Sequence, residues 1–421
     1  MNRSEGAGTA MNPIQMQRRE KALLAILFFL VLILDLIIPA LTFAQVSFPS
    51  ECQQGTLPTD DRKFPGNQLI LVCIPANWNG NLVLYAHGYV APQAPLALPV
   101  GELTLDGTFV PQLLLAQGFA FATSSYHKNG VAIEQARNDL NDLLAYFKTL
   151  IPQGSLQNVL LIGASEGGLI AVELLERNPN DYDGGLALCG SIGGSLQQIH
   201  YAYDFRVVFD YFFPTVFTFP PGQPSERHFG AFDVPENAYL FWPTVYEPRI
   251  IAALTNDPLS AAQLFRITGA AVDPNDPTSA IDTALAVLSY NIFGTNDTIA
   301  TTGGIPYDNR FRIYLGSTND AALNRGVERI KGDSRAELYA FRFYQTTGEL
   351  HQPLVTLHNT LDPVVPFRHE LTYSVLAALQ RKLQFLSVLP VPTYGHCEFT
   401  TEQILGAFAL MVQQANGSIG R

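Results

Sequence analysis

Gly163-Ala164-Ser165-Glu166-Gly167 places a hydroxyl midway between two glycines. That spacing suits a nucleophile on a sharp strand-to-helix turn, where side chains two before and two after would clash. A free serine hydroxyl is barely ionised at neutral pH, so Ser165 needs a base. Of the eight histidines, His396 is best placed: Tyr394-Gly395-His396-Cys397 directly precedes the last helical stretch. His127 precedes the serine, His358 falls inside a strand, His369 falls inside a helix, and His200, His228 and His351 lie in or beside a region without β–α alternation. The base in turn needs an acid that fixes its tautomer and stabilises its positive charge. Asp362 supplies it, in the turn after the apolar run Leu354–Asn359; Glu370, further along, is the weaker rival. The order Ser165, Asp362, His396 is the one a nucleophile on such a turn uses in a β–α fold. Two backbone N–H groups should hold the oxyanion. One is that of Glu166; the other is that of Tyr89, with Gly88 as the alternative, in the His87-Gly88-Tyr89 turn after NLVLYA. His87 is expected to prop that turn.

The elements that position these residues read as alternating strands and helices, the pattern of a mostly parallel sheet with helices on its faces. Strands are expected at 68–74, 81–86, 119–125, 158–162, 185–189, 354–359 and 383–389. Helices are expected at 110–117, 131–150, 167–177, near 367–381 and at 398–414. In the longest, Ile133, Ala136, Leu140, Leu144 and Phe147 recur at three- and four-residue steps and form one apolar face. The rhythm breaks between residues 195 and 350, a stretch longer than ordinary loops. The domain reading is therefore a leader at 1–44, a catalytic core at 45–194 and 351–421, and a largely helical lid at 195–350, inserted before the penultimate strand.

The chain has 421 residues, 47% hydrophobic and 15% charged, with a net charge of −12. That is a globular composition, and the acidic balance argues against a nucleic-acid partner. Arg18, Arg19 and Lys21 precede an apolar run from Ala22 to Ala44 that ends in small residues. This reads as a secretory signal, or, uncleaved, as a membrane anchor. All four cysteines, Cys52, Cys73, Cys189 and Cys397, lie beyond it. An even number in an exported chain suggests disulfides, with three possible pairings. No CxxC, HExxH or P-loop is present, and no cofactor or metal is expected.

The elbow at Ser165, His87-Gly88, the post-strand Asp362 and Gly395-His396 together resemble the α/β-hydrolase superfamily, over roughly residues 65–195 and 350–415. Within it the chain is similar to secreted bacterial esterases with a large lid, and His396-Cys397 resembles the tannase and feruloyl-esterase group. In that group a cysteine after the catalytic histidine is bridged to one beside the nucleophile. Here position 164 is Ala, a departure from the pattern. Cys189 is instead the expected partner of Cys397, since both should lie at the carboxyl end of the sheet, which leaves Cys52 for Cys73.

From residue 201 to 213, seven of thirteen positions are aromatic. Of these Tyr203, Phe209 and Phe212 are the candidates for contact with an apolar or aromatic substrate, although any one of them is more readily explained as part of the lid's own core. The expected activity is hydrolysis of a small-molecule or polymeric carboxylic ester through an acyl-enzyme on Ser165. The alternative is a serine exopeptidase on the same fold, with the acids Asp204, Asp210, Glu236 and Glu247 available to hold a charged terminus. A binding protein without catalysis is disfavoured, since no triad member is missing.

Overall fold

The computed structural model describes residues 48–105, 107–219 and 227–418; the expected leader lies outside them. Among the described residues no helix is long and apolar enough to cross a membrane. Eight strands form one sheet: β1 (Cys52–Pro58), β2 (Asn67–Cys73), β3 (Asn81–Ala86), β4 (Ala120–Ser124), β5 (Asn158–Ala164), β6 (Gly184–Leu188), β7 (Leu354–Leu361) and β8 (Leu386–Tyr394). Their order is β1-β2-β4-β3-β5-β6-β7-β8. From β4 to β8 all neighbours pair in parallel, and β2 runs antiparallel to both β1 and β4.

Burial explains the composition of these strands. Leu82, Val83, Leu84 and Ala86 in β3 are completely buried, as the near-continuous apolar runs of a parallel sheet covered on both faces require. Each large side chain so buried contributes about 1.5–3 kcal/mol. After the short helix α1 (Val110–Ala116), the long helix α2 (Ile133–Leu150) lays Ile133, Ala136, Leu140, Leu144 and Phe147 into the same core, the face read from their spacing.

Two strand assignments change. β1 was not expected: CQQGTLP shows no apolar alternation, because this edge strand is mostly exposed and pairs only with β2. The last strand begins at Leu386, after a short 3-10 turn at Leu383–Phe385, and runs on to Tyr394, five residues past its expected end. Pro390 and Pro392 speak against a strand, yet both are tolerated because β8 is the free edge of the sheet.

Between β6 and β7 the chain builds a mainly helical insertion. It includes α4 (Ser195–Phe212), α5 (Glu247–Asn256), α6 (Pro258–Thr268), α7 (Ser279–Thr302), α8 (Asp320–Gly326) and α9 (Ser334–Tyr344). The insertion has its own hydrophobic core, built around Phe205, Phe209, Phe217, Phe229, Trp242 and Leu264. Asp297 on α7 fastens it to the sheet domain: its carboxylate lies 3.0 Å from Lys128 Nζ and accepts the Val131 N–H at 2.7 Å.

Candidate active site

The strand register brings the chemistry to one edge. Ala86 pairs with Gly163, Ala164 with Leu188, Leu188 with Leu357, and Leu361 with Tyr394. The residues that follow, His87, Ser165, Cys189, Asp362 and His396, therefore share the carboxyl end of the sheet. Ser165 sits between β5 and α3 (Glu166–Arg177) at φ +54° and ψ −119°, a conformation that costs a non-glycine residue about 1–3 kcal/mol. Its N–H donates to Leu188 O at 2.8 Å, and its carbonyl accepts the Gly168 N–H at 3.0 Å. The flanking glycines are sterically required. A Cβ at Gly163 would lie 2.0 Å from Gly167 O, and one at Gly167 would lie 2.0 Å from Ala86 O.

Ser165 Oγ lies 2.8 Å from His396 Nε2, and His396 Nδ1 lies 2.7 Å from Asp362 Oδ2. The other oxygen of Asp362 accepts the N–H groups of Val364 and Val365, both at 2.8 Å. Burial alone would raise the Asp362 carboxyl, but the charges of and hydrogen bonds from His396 and His358 outweigh it and hold it down at about 2. An ionised acid against Nδ1 makes Nδ1 the donor, which leaves Nε2 free to accept the serine proton.

A strained serine at a strand-to-helix elbow, on the fifth strand of this 1-2-4-3-5-6-7-8 sheet, decides the fold. The chain has the α/β-hydrolase fold. No protein-family model and no curated protein matches the sequence. Solved structures do match. Feruloyl esterase B from Aspergillus oryzae is 14% identical, with 82% of this chain and 73% of that one covered, at a TM-score of 0.45. Brefeldin A esterase, a bacterial homologue of human hormone-sensitive lipase, is 12% identical over 91% and 81%, at 0.43. An acylaminoacyl peptidase from Pyrococcus horikoshii is 11% identical at 0.40; this chain covers 40% of its length, with 86% of its own residues matched.

On this α/β-hydrolase fold the candidate oxyanion donors divide as follows. Glu166 opens α3, so its N–H has no intrahelical partner. The Tyr89 N–H makes no hydrogen bond to any described residue. Gly88 is corrected as a candidate: its N–H already donates to the Glu102 carboxylate at 3.0 and 3.2 Å. Glu102 also accepts from Tyr85 OH at 2.8 Å and so ties the turn to β3. His87 props the turn as expected, donating from Nδ1 to Gly88 O at 2.7 Å and stacking on Tyr126 at 3.8 Å.

Ser165 opens into a cavity of about 130 Å3 between the sheet and the insertion. Its walls include Val131, Ile133, Ile199, Ala202, Val364 and Val365, with Tyr89, Tyr290 and Tyr203 among the aromatic residues. Tyr203 lines the cavity, while Phe209 and Phe212 do not. Phe209 lies six residues further along α4, about 9 Å of helical rise, and is completely buried against Phe213 and Phe217. Phe212 packs against Tyr211 and the insertion core. None of the four acids considered for a charged terminus lines the cavity. Asp204 is engaged by Arg312, Tyr307 and Tyr314, and Asp210 by Arg206 and His228.

Three features of the site were not legible in the motifs. One is the Glu166 side chain, considered only for its backbone N–H. It lines the cavity, accepts the Ala132 N–H at 3.0 Å, and burial pushes it up to about 7. The second is Glu102, and the third is the His358–Glu370 pair behind Asp362. Both disulfides follow the expected pairing, Cys52–Cys73 and Cys189–Cys397. The second withdraws both sulfurs of the Cys189, His396, Cys397 cluster, the one group of metal-type donors found among the described residues.

Proposed function

We propose that the protein is a secreted serine carboxylesterase acting on esters with uncharged, apolar acyl groups. The observation that carries this reading is the Ser165–His396–Asp362 chain of 2.8 and 2.7 Å contacts at the mouth of a mainly apolar cavity. Ser165 Oγ attacks the ester carbonyl carbon while His396 Nε2 takes its proton. The carbonyl oxygen becomes an oxyanion between the N–H groups of Glu166 and Tyr89. The C–O bond to the alcohol breaks as His396 returns the proton to the leaving oxygen. Water, deprotonated by His396, then attacks the acyl-enzyme; its collapse frees the acid and the serine.

The cavity supports the substrate class. Its volume of about 130 Å3 is below the ~150 Å3 of a protein cavity that holds benzene, which favours acyl groups no larger than one ring or a short chain. Among the described residues no Lys or Arg lines it, so an acyl group ending in a carboxylate would be buried without a fixed counter-charge. Export is supported by the two disulfides, which persist in oxidising compartments.

The test is hydrolysis of p-nitrophenyl esters from acetate to dodecanoate by wild type and Ser165→Ala. Cleavage of the short esters by wild type alone is expected. Activity that survives Ser165→Ala, or a wild type that cleaves aminoacyl-arylamides and no ester, overturns the reading.

A further inference from the structure

His358 is completely buried on β7, four residues before Asp362, and no step of the reaction above uses it. Its Nε2 lies 2.8 Å from the carbonyl oxygen of Val365 and 3.5 Å from Asp362 Oδ2, the oxygen that also accepts from His396. Its Nδ1 lies 3.0 Å from Glu370 Oε1, and the other oxygen of Glu370 accepts from Thr356 at 2.6 Å. A carbonyl oxygen only accepts, so Nε2 carries a proton. An unprotonated Nδ1 would set its lone pair against a carboxylate oxygen at 3.0 Å, so this contact calls for a second proton.

The titratable groups facing the ring are Asp362 from the turn after its own strand, and Glu370 and His369 from α10 (Arg368–Leu379). His369 is neutral. Its Nδ1 accepts from the Gly193 N–H at 3.2 Å while Nε2 donates to Gln198 at 3.0 Å, and burial with the nearby charge of His358 holds it down at about 3. Burial opposes a charge on His358 as well, but Asp362 and Glu370 outweigh it and hold the imidazole up at about 10.

We propose that His358, as an imidazolium neutralised by Glu370, is a positioning residue for Asp362. It anchors the Asp362 turn through the Val365 carbonyl and offers the shared carboxylate oxygen a permanent cation. Asp362 is then fixed in place and stays ionised while His396 gains and loses its proton. The role rests on the triad reading given above. Two carboxylates and two imidazoles alternate along this line, so no buried charge lacks a neighbour of opposite sign.

Two measurements test it. In 15N-histidine NMR of the wild type, the ring of His358, assigned by backbone-to-ring correlation, should have both nitrogens protonated from pH 6 to 8. In His358→Asn, kcat should fall by roughly 10- to 100-fold, the cost of removing the outer partner of a metal-bound imidazole, with KM unchanged. The acid limb of its kcat/KM profile should move to higher pH, because without the cation Asp362 favours the protonated form of His396. An unprotonated Nδ1 at pH 7 overturns the proposal. So does a folded His358→Asn with unchanged kcat and an unmoved acid limb. The NMR measurement needs no substrate and no folded variant, so it stands apart from any failure of Ser165→Ala to lose activity.

Discussion

Cys189 is bridged to Cys397, the residue directly after His396, across 208 positions of sequence. The bridge joins the end of β6 to the histidine turn beside β8, the exposed edge of the sheet. His396 is therefore held from both sides, by Asp362 through its ring and by Cys189 through its neighbour. A disulfide typically contributes about 2–4 kcal/mol, chiefly by constraining the unfolded chain. The Cys189→Ala/Cys397→Ala double variant should unfold at a lower temperature and lose kcat with little change in KM. Calorimetry and ester kinetics check the two effects. A kcat equal to wild type would show that the turn holds His396 without the bridge.

Glu166 gives the protein a pH-dependent stability. Its carboxyl is held up at about 7 against an ordinary 4.5, chiefly by burial. A raised acid favours the folded state only while protonated, so the fold loses stability as pH rises from about 4.5 to about 7 and no more above that. At 1.36 kcal/mol per pH unit the loss approaches about 3 kcal/mol. Glu166→Gln keeps an oxygen for the Ala132 N–H and escapes the loss. The variant should match wild type in melting temperature at pH 4 and exceed it at pH 8. A constant difference across that range would sink the idea.

How far the site was legible in the sequence depended on how local each determinant is. Gly163, Ser165 and Gly167 act through clashes within one turn and against the adjacent β3, so five consecutive residues carry the signal. The positions of Asp362 and His396 follow from strand order, which alternation reveals. Glu102 was invisible because it reaches Gly88 from a loop 14 residues away, with no motif of its own. The His358–Glu370 pair was hidden for the opposite reason. His358 reads as an ordinary strand residue and Glu370 only as a rival to Asp362, and nothing links them until the fold brings the two to 3.0 Å. The aromatic run was the least informative, because composition does not distinguish a cavity wall from a hydrophobic core.

Asp362 should separate activity from folding. Its carboxylate is held at about 2, below the ordinary 3.8, with burial opposed by His396 and His358. Such a group contributes stability above pH 3.8 that is lost as pH falls through about 2. Asp362→Asn keeps an oxygen for the Val364 and Val365 N–H groups but no longer fixes the tautomer of His396. A fall in kcat of about 10^4-fold is expected, as for the same change in a serine protease triad. Circular dichroism at pH 7 should show a folded variant. Full activity would mean that another carboxylate serves His396.

Phe209 and Ala202 lie on the same helix and should fail in different ways. Phe209 is completely buried in the insertion core and touches no part of the cavity. Phe209→Ala should cost about 3–5 kcal/mol, the usual loss for a large-to-small change in a packed core. The chain-length preference of whatever enzyme remains folded should not change. Ala202 lines the cavity beside Tyr203, where a larger side chain would take up part of the roughly 130 Å3 available. Ala202→Phe should therefore keep the acetate ester as a substrate and lose the longer ones, with the change appearing in kcat/KM. Graded p-nitrophenyl esters read both variants in one assay, with melting temperature measured alongside. If Phe209→Ala shifted the chain-length profile and Ala202→Phe did not, the acyl group would have to lie deeper in the insertion than the cavity at Ser165.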